Sequence, residues 1–359
     1  MTEGTNVRVL VVGCGNMGAA HAMAYHTLNG FEICGIVSLG NSKVVLNDRL
    51  GRGYELYSDY YEALAVTKPD AVCISTYPDT HEEYAVKAFE SGCHVFIEKP
   101  LADTVEGAGR VAEAALKAGK KLLVGYILRY HPSWQKFTEL AQEMGKPLVM
   151  RMNLNQQSHG PKWTVHRNLM KSLSPIVDCA VHYIDVMCQM TRSKPMQVSA
   201  IGARLTDDIP DWNYNYGQLQ IRFEDGSVGW YEAGWGPMVS DNAFFIKDVF
   251  GPKGAVSIVA KEASRSGKSD DIDSHTKTES IKVHHSDIGS DDEFLKSDEW
   301  IDLSDEPDHQ ELCNREQRYF LKAIKEDIDL TNPTEDAVNS LRIAFACDES
   351  VKTGEMIKL

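Results

Sequence analysis

At 359 residues the chain exceeds one ordinary domain and predicts two. Its 43% hydrophobic and 25% charged content is that of a soluble globular protein, and a formal net charge of −15 argues against nucleic acid or an anionic membrane as the main partner. No N-terminal stretch reads as a secretory signal or a membrane span, because the apolar run Val7–Val12 is interrupted by Arg8 and is far too short to cross a bilayer.

Val7–Val12 predicts a short strand that runs directly into Gly13-Cys14-Gly15-Asn16-Met17-Gly18 and then a helical pattern with Met17, Ala20, Ala24 and Leu28 on one side. Between a strand and a helix, Gly-x-Gly-x-x-Gly predicts dinucleotide binding. Gly13 allows the turn, Gly15 lets backbone amides approach a pyrophosphate, and Gly18 lets the helix pack on the strand. Glu32–Ser38 predicts the second strand. Where an NAD site usually carries an acid this chain has Ser38, with Lys43, Arg49 and Arg52 downstream; this leans slightly towards NADP and leaves NAD open. Asp59–Val66 suits a helix, Asp70–Thr76 a strand, and Thr80–Ser91 a helix with Thr80 as N-cap. His94–Ile97 follows as a buried strand, ending in Glu98-Lys99-Pro100. Val105–Ala118 is a helix capped near Asp103 or Thr104, and Lys121–Ile127 a further strand. The alternation predicts a doubly wound parallel sheet ending near residue 125, with ligands outside the carboxyl ends of its strands, where Glu98 and Lys99 lie.

The eight cysteines, mostly within apolar runs and without Cys-x-x-Cys, predict a cytoplasmic protein of reduced thiols with no disulfide or structural zinc.

Gly13-x-Gly15-x-x-Gly18, Thr80-His81, Glu98-Lys99-Pro100 and Tyr126-x-x-Arg129-Tyr130-His131-Pro132 together resemble the glucose–fructose oxidoreductase / inositol dehydrogenase (Gfo/Idh/MocA) family, in order and spacing over almost the whole chain. The resemblance implies a Rossmann domain over 1–125 and a substrate-binding and oligomerisation domain over 126–359, an α+β domain with a large open-faced, mostly antiparallel sheet. It implies NAD or NADP held by Gly13, Gly15, Asn16, Met17, Gly18, Ser38, Lys43, Thr76, His81, Glu98 and Lys99. No metal motif appears.

In the second half, His131–Met144 predicts a helix and Pro147–Gln157 a strand. Gly160–Asn168 reads as a polar loop with an exposed Trp163, equally suited to covering the apolar face of a sugar or to filling a gap. A helix from Pro175 to about Met190 places Asp178, His182 and Asp185 at i, i+4 and i+7, on one face. By itself that is the solvated face of an amphipathic helix. The segment also matches the family's Asp-x-x-x-His-x-x-Asp pattern, whose Asp and His lie in the substrate site. The usual glycine-rich approach to this helix is replaced here by Ser172-Leu173-Ser174-Pro175.

From Gln197 onward strand-like runs dominate: 197–205, 216–223, 228–233, 244–251, 255–260 and 279–285. Lys261–Ile272 is charged and Ser-rich and reads as an excursion. His284 and His285 oppose one another in a strand and are not read as metal ligands. Helices near Arg315–Lys325 and Thr334–Lys352 close the chain.

The implied activity is hydride transfer between NAD(P) and a hydroxyl-bearing carbon of a sugar, polyol or glycoside. His182 is the expected general base, Lys99 stabilises alkoxide charge, and Asp178 orients His182 or holds a second hydroxyl; in some family members the lysine is itself the base, which leaves Lys99 as the alternative proton acceptor. Tyr126, Arg129, Trp163, His166, Asp178 and His182, with Trp235, are the expected substrate contacts. Some relatives cleave glycosides through transient oxidation by bound NAD, and a non-catalytic sensor on the same fold is the third reading. An uncovered apolar sheet face predicts a homodimer or homotetramer.

Overall fold

A computed structural model of the chain describes residues 6–240, 246–259, 276, 278–303 and 305–359. The excursion expected over 261–272 lies outside the described residues, as do the first residues of the strand expected from Phe244. The chain divides into two units, Met1–Ile127 with His309–Leu341, and Leu128–Asp308 with Arg342–Leu359. The first boundary falls two residues past the expected one. The expectation that 126–359 forms one domain is corrected by the segment His309–Leu341, which packs with the first unit.

In the first unit, short runs of Val, Ile, Cys and Phe with both faces covered form a six-stranded parallel sheet. Its elements are β1 (Val7–Val12), α1 (Asn16–Thr27), β2 (Phe31–Val37), α2 (Ser42–Arg49), β3 (Leu56–Tyr57), α3 (Tyr60–Thr67), β4 (Ala71–Ile74), α4 (His81–Glu90), β5 (His94–Ile97), α5 (Val105–Ala118) and β6 (Leu122–Val124), with strand order β3-β2-β1-β4-β5-β6. Every residue of β4 and β5 is buried, as a central parallel sheet requires. Local chemistry sets the helix ends. Thr104 accepts from the Gly107 amide at 3.0 Å to start α5, which ends on Gly119 at φ +61, and Asp59 accepts from the Glu62 amide at 2.8 Å to start α3.

The second unit carries α6 (Pro132–Glu143), β7 (Val149–Gln157), α7 (Gly160–Leu169), a π-turn over Ile176–Ala180, α8 (Val181–Thr191), β8 (Pro195–Ala203), β9 (Tyr216–Phe223), β10 (Val228–Gly236), β11 (Lys247–Gly251), β12 (Gly254–Val259), β13 (Ser280–His285) and β14 (Glu299–Asp302). Next along the chain, α9 (His309–Lys325) belongs to the first unit, and α10 (Thr331–Thr353) passes from the first unit to the second before β15 (Ile357–Lys358). The nine-stranded sheet has the order β14-β13-β12-β11-β7-β10-β9-β8-β15; β7 pairs parallel with β10 and the other pairings are antiparallel. One face buries Val198, Leu219, Ile221, Tyr231, Val249 and Val256. The opposite face was expected to be apolar. It is mixed, with exposed Ser199, Gln220 and Arg222 beside Ile201, Val228 and Phe250.

The segment 160–168 is α7 and not a loop. Pro161 sits in the first turn, where its missing N–H costs no helical hydrogen bond, and Trp163 is buried inward. The Gly-Pro pair that read as loop punctuation is the helix start.

Candidate functional site

The turn from β1 to α1 shows which glycines the fold itself needs. Gly13 has φ +95, and a Cβ on it would lie 2.3 Å from the Ser75 carbonyl oxygen; a Cβ on Gly18 would lie 2.1 Å from the Gly13 carbonyl oxygen. A Cβ on Gly15 would meet nothing within 4 Å. Gly15 precedes α1 as N-cap without a side-chain cap, and Asn16 beside it is exposed. A glycine that the chain's own packing does not require, at an uncapped helix start, is the cradle that a pyrophosphate fits. Met17 is half-buried in the first turn of α1.

Beyond β2, Ser38 Oγ hydrogen-bonds Ser42 Oγ at 2.8 Å. Lys43 Nζ donates to Ser38 O at 2.7 Å and to Ser58 Oγ at 2.8 Å, which folds the loop after β2 around the lysine. Thr76, just past β4, pairs its hydroxyl with that of Thr80 at 2.7 Å. His81 is fully buried, its ring nitrogens 2.8 Å from Pro100 O and 3.2 Å from Thr76 O. Burial lowers its pKa. It braces the ends of β4 and β5 against each other.

At the end of β5 a hydrogen-bonded chain supports Lys99. Tyr25 OH donates to Gln317 Oε1 at 2.6 Å, Gln317 Nε2 to His21 Nδ1 at 3.0 Å, and His21 Nε2 to Glu98 Oε1 at 2.7 Å; the Lys99 amide donates to Glu98 Oε2 at 3.2 Å. Burial pulls the Glu98 carboxyl up, but the His21 hydrogen bond, with the charge and backbone amide of Lys99, holds it below the ordinary range. Gly125 makes room, since a Cβ there would stand 3.2 Å from the Glu98 carboxyl atoms. Glu98, expected to hold the cofactor, anchors the Lys99 backbone. Beside it Glu316 is fully buried, with no hydrogen-bond partner for either carboxyl oxygen among the described residues. Burial and the Glu98 charge push its pKa well above the usual carboxylate range, so one of the two neighbouring acids is neutral. Ligand-type atoms of His21, Cys313 and Glu316 lie within 4.8 Å of one another. Both His21 nitrogens are already hydrogen-bonded, to Gln317 and Glu98.

Within the second unit, Asp178 is half-buried and His182 is buried. The single helix expected to carry them is interrupted by the π-turn, so Asp178 stands on a wider turn than His182 and Asp185. Asp185, expected on the same solvent face, is 1% exposed. It accepts from Arg129 Nε at 2.8 Å and Nη2 at 2.5 Å, and from Gln189 at 2.8 Å.

Three expected substrate contacts have other placements. Arg129 is that clamp on Asp185. Tyr126 is 2% exposed, its hydroxyl 2.7 Å from Ser340 Oγ within the first unit. Trp163, expected to be exposed, is 7% exposed, with the Arg167 guanidinium 5.9 Å from its ring centre. His166 is half-buried, bonded to Ser158 Oγ at 2.9 Å and stacked at 4.4 Å on Trp235, which is itself buried. Sequence reasoning missed His21, Gln317 and Glu316. His21 one turn past Gly18 was a visible signal, but its partners on α9 were not. It also missed Lys247 on β11, which is buried, donates to Asn153 O and lies 4.5 Å from the Tyr183 ring centre. Desolvation takes its pKa well below the ordinary lysine value.

Residues 7–126 match the oxidoreductase family with an NAD-binding Rossmann fold, and residues 139–256 match the GFO/IDH/MocA C-terminal domain. An inositol 2-dehydrogenase of Burkholderia lata (strain ATCC 17760 / DSM 23089 / LMG 22485 / NCIMB 9086 / R18194 / 383) is 29% identical over 186 residues, 50% of this chain and 53% of the relative. The match therefore spans about half the length of that relative. Among solved structures, a scyllo-inositol dehydrogenase from Lactobacillus casei with bound cofactor NAD(H) and scyllo-inositol superposes with TM-score 0.76 at 17% identity, covering 99% of each chain. A UDP-N-acetylglucosamine 3-dehydrogenase from Acidithiobacillus ferrooxidans superposes with TM-score 0.74 at 20% identity, covering 97% of this chain and 98% of the other. At these identities the likeness is one of fold.

Proposed function

The chain belongs to the Gfo/Idh/MocA oxidoreductase family, and on that premise we propose that it is an NAD(P)-dependent dehydrogenase of a sugar or polyol hydroxyl, with inositols as the first substrates to try. The observation that carries the reading is the setting of Lys99. Its backbone amide is bonded to Glu98, which a buried chain through His21, Gln317 and Tyr25 fixes in place. A support of four side chains behind one lysine fits a preorganised site better than a solvated ion pair.

Bound NAD(P) supplies the hydride acceptor. The chain does the rest. Gly13, Gly15 and Gly18 with the amides of Asn16 and Met17 hold the pyrophosphate, and Ser38, Lys43 and Thr76 line the cofactor's remaining length. His81 acts by bracing the Thr76 and Pro100 segments. Lys99 donates a hydrogen bond to the substrate oxygen and stabilises its negative charge as the proton leaves. His182 takes that proton on a ring nitrogen, and Asp178 orients the imidazole or holds a neighbouring hydroxyl. His166, on the Trp235 ring, contributes to substrate recognition. The lean to NADP rests on Ser38 standing where an acid would reject a 2′-phosphate, with the Lys43 amine 2.7 Å from the Ser38 carbonyl.

Two further parts of the reading concern setting. The mixed sheet face, with Ile201, Val228 and Phe250 among polar residues, is the surface through which a homodimer or homotetramer would form. A cytoplasmic location fits eight cysteines that form no disulfide; among the described residues no helix is long and apolar enough to cross a membrane.

The test follows nicotinamide absorbance with NAD and NADP separately against a panel of inositols, sugars and glycosides, for wild type, Lys99→Ala and His182→Ala. The reading expects a substrate-dependent rise in reduced cofactor that falls at least a hundredfold in each variant, in line with removing a charge-stabilising donor or a general base (about 10²–10⁴-fold). Turnover within a few-fold of wild type in both variants removes these roles. Aglycone release without net reduced cofactor replaces the reaction with glycoside cleavage.

A further inference from the structure

We propose that Asp348 is a positioning residue for the substrate half: by clamping Ser174 it fixes the π-turn that sets where Asp178 and His182 stand. The inference rests on the dehydrogenase reading for the roles of those two side chains, and on geometry for the clamp.

Ser174 is the hinge of the arrangement. Its hydroxyl donates to Asp348 Oδ1 at 2.7 Å and accepts from the Val177 amide at 3.1 Å, while its carbonyl accepts from the Asp178 amide at 3.0 Å. One serine thus caps the π-turn and ties it to α10, 174 positions away in sequence. Tyr214, from the segment before β9, donates its hydroxyl to the same Asp348 oxygen at 2.5 Å. Asn213 holds the preceding loop from the other side, its amide donating to Met170 O at 2.7 Å and Leu173 O at 2.8 Å. Ser174, Asn213 and Tyr214 are 1%, 4% and 6% exposed. A π-turn is wider than an α-turn and persists where surrounding contacts hold it. Here the holding contacts are these hydrogen bonds. This is the stretch, Ser172-Leu173-Ser174-Pro175, at which the chain departs from a glycine-rich approach, and a glycine at 174 has no hydroxyl to give Asp348.

The hydride-transfer roles make no use of Asp348, a half-buried acid with no ion-pair partner among the described residues. The groups facing it are the Ser174 hydroxyl, the Tyr214 phenol and, on its own helix, the Cys347 thiol. Burial pushes the phenol and thiol well above their ordinary values, so both are neutral. Burial also raises Asp348 to about 6, against the pull of its two hydrogen bonds. The clamp therefore changes charge within the pH range in which a dehydrogenase is assayed. Above that point a carboxylate accepts two charge-assisted hydrogen bonds; below it the carboxyl is neutral, both bonds lose their charge assistance and the hold on Ser174 weakens.

The experiment compares wild type, Asp348→Asn, Ser174→Ala and Tyr214→Phe with NAD and myo-inositol from pH 5 to 9, alongside the imidazole NMR signal of His182, identified by its loss in His182→Gln. Asp348→Asn and Ser174→Ala are expected to lower kcat about tenfold, as a sub-ångström misplacement does, with KM for NAD changed less than about twofold. The acid limb of log kcat in wild type carries, besides the ionisation of the general base, a step of about tenfold near pH 6 that Asp348→Asn lacks. The His182 signal shifts in both variants. Should Asp348→Asn fail to fold, Ser174→Ala and Tyr214→Phe each delete one hydrogen bond and carry the test. An unchanged His182 titration in folded variants, with kcat within twofold, overturns the clamp. Absence of turnover in wild type across the whole inositol, sugar and glycoside panel overturns the dehydrogenase reading instead, and the His182 signal still decides the clamp.

Discussion

Replacing Arg129 by Gln separates a structural ion pair from a substrate contact. Arg129 meets Asp185 through two nitrogens at 2.8 and 2.5 Å, and Asp185 is 1% exposed. Removing the guanidinium leaves a buried carboxylate with Gln189, at 2.8 Å, still donating to it. Breaking a buried pair by deleting one partner costs about 3–5 kcal/mol, and the surviving Gln189 bond places this case near the lower end. A loss of about 3 kcal/mol lowers the melting temperature by roughly 6–12 °C in a unit of this size. All six tryptophans, Trp134, Trp163, Trp212, Trp230, Trp235 and Trp300, lie in the unit that carries the pair, so tryptophan fluorescence in a urea titration reports that unit. The double variant Arg129→Gln/Asp185→Asn removes the stranded charge and is expected to regain more than half of the loss, a coupling that a double-mutant cycle measures. If Arg129→Gln leaves the transition within about 0.5 kcal/mol of wild type and raises only the substrate KM, the clamp assignment is wrong and Arg129 contacts substrate.

Three further outcomes are expected. Gly15→Ala keeps the fold, because its Cβ meets nothing within 4 Å at φ −73, yet weakens dinucleotide binding by calorimetry at least about tenfold through the crowded pyrophosphate; Gly13→Ala, at φ +95 and 2.3 Å from Ser75 O, fails to fold normally. Equal Kd values for wild type and Gly15→Ala would remove the cradle. Lys43→Ala raises KM for NADP at least about tenfold and KM for NAD less than about threefold if its charge faces a 2′-phosphate; equal effects on both cofactors would leave Lys43 as a loop brace alone. Asp348 gives stability a pH dependence of known sign. Its folded value of about 6 exceeds the unfolded 3.8, so the native state binds the extra proton between these values. The stability this adds is complete below the lower value and is lost as pH rises through about 6, a change of roughly 3 kcal/mol that Asp348→Asn abolishes. A wild-type and Asn variant with parallel stability-versus-pH curves would contradict it.

What contiguous residues encode was readable without the fold. The Val7–Val12 strand, the glycine turn and the capped helix Val105–Ala118 were legible because turn dihedrals, caps and side-chain period depend on neighbours in sequence. So was the alternation that makes the parallel sheet. Lys99 and the Asp178–His182 pair are singled out as candidates only through resemblance, since by themselves they also read as a solvated charge pair and a solvated helix face. The environment of each polar side chain is another matter, because its partners come from far along the chain. Arg129 finds Asp185 at 56 positions, Tyr126 finds Ser340 at 214, and His21 finds Gln317 at 296. These pairings turned expected substrate contacts into a clamp and a core tie, and added the support behind Lys99. Trp163 moved inward because a Gly-Pro pair begins a helix as readily as it makes a loop, and the adjacent packing decides between them. By itself the sequence determined the sheet, the cofactor turn and which residues are chemically able to act. Only tertiary structure decided which of those are held by a buried network and which are occupied holding the fold together, since burial and hydrogen bonding are properties of packed elements and not of spacing.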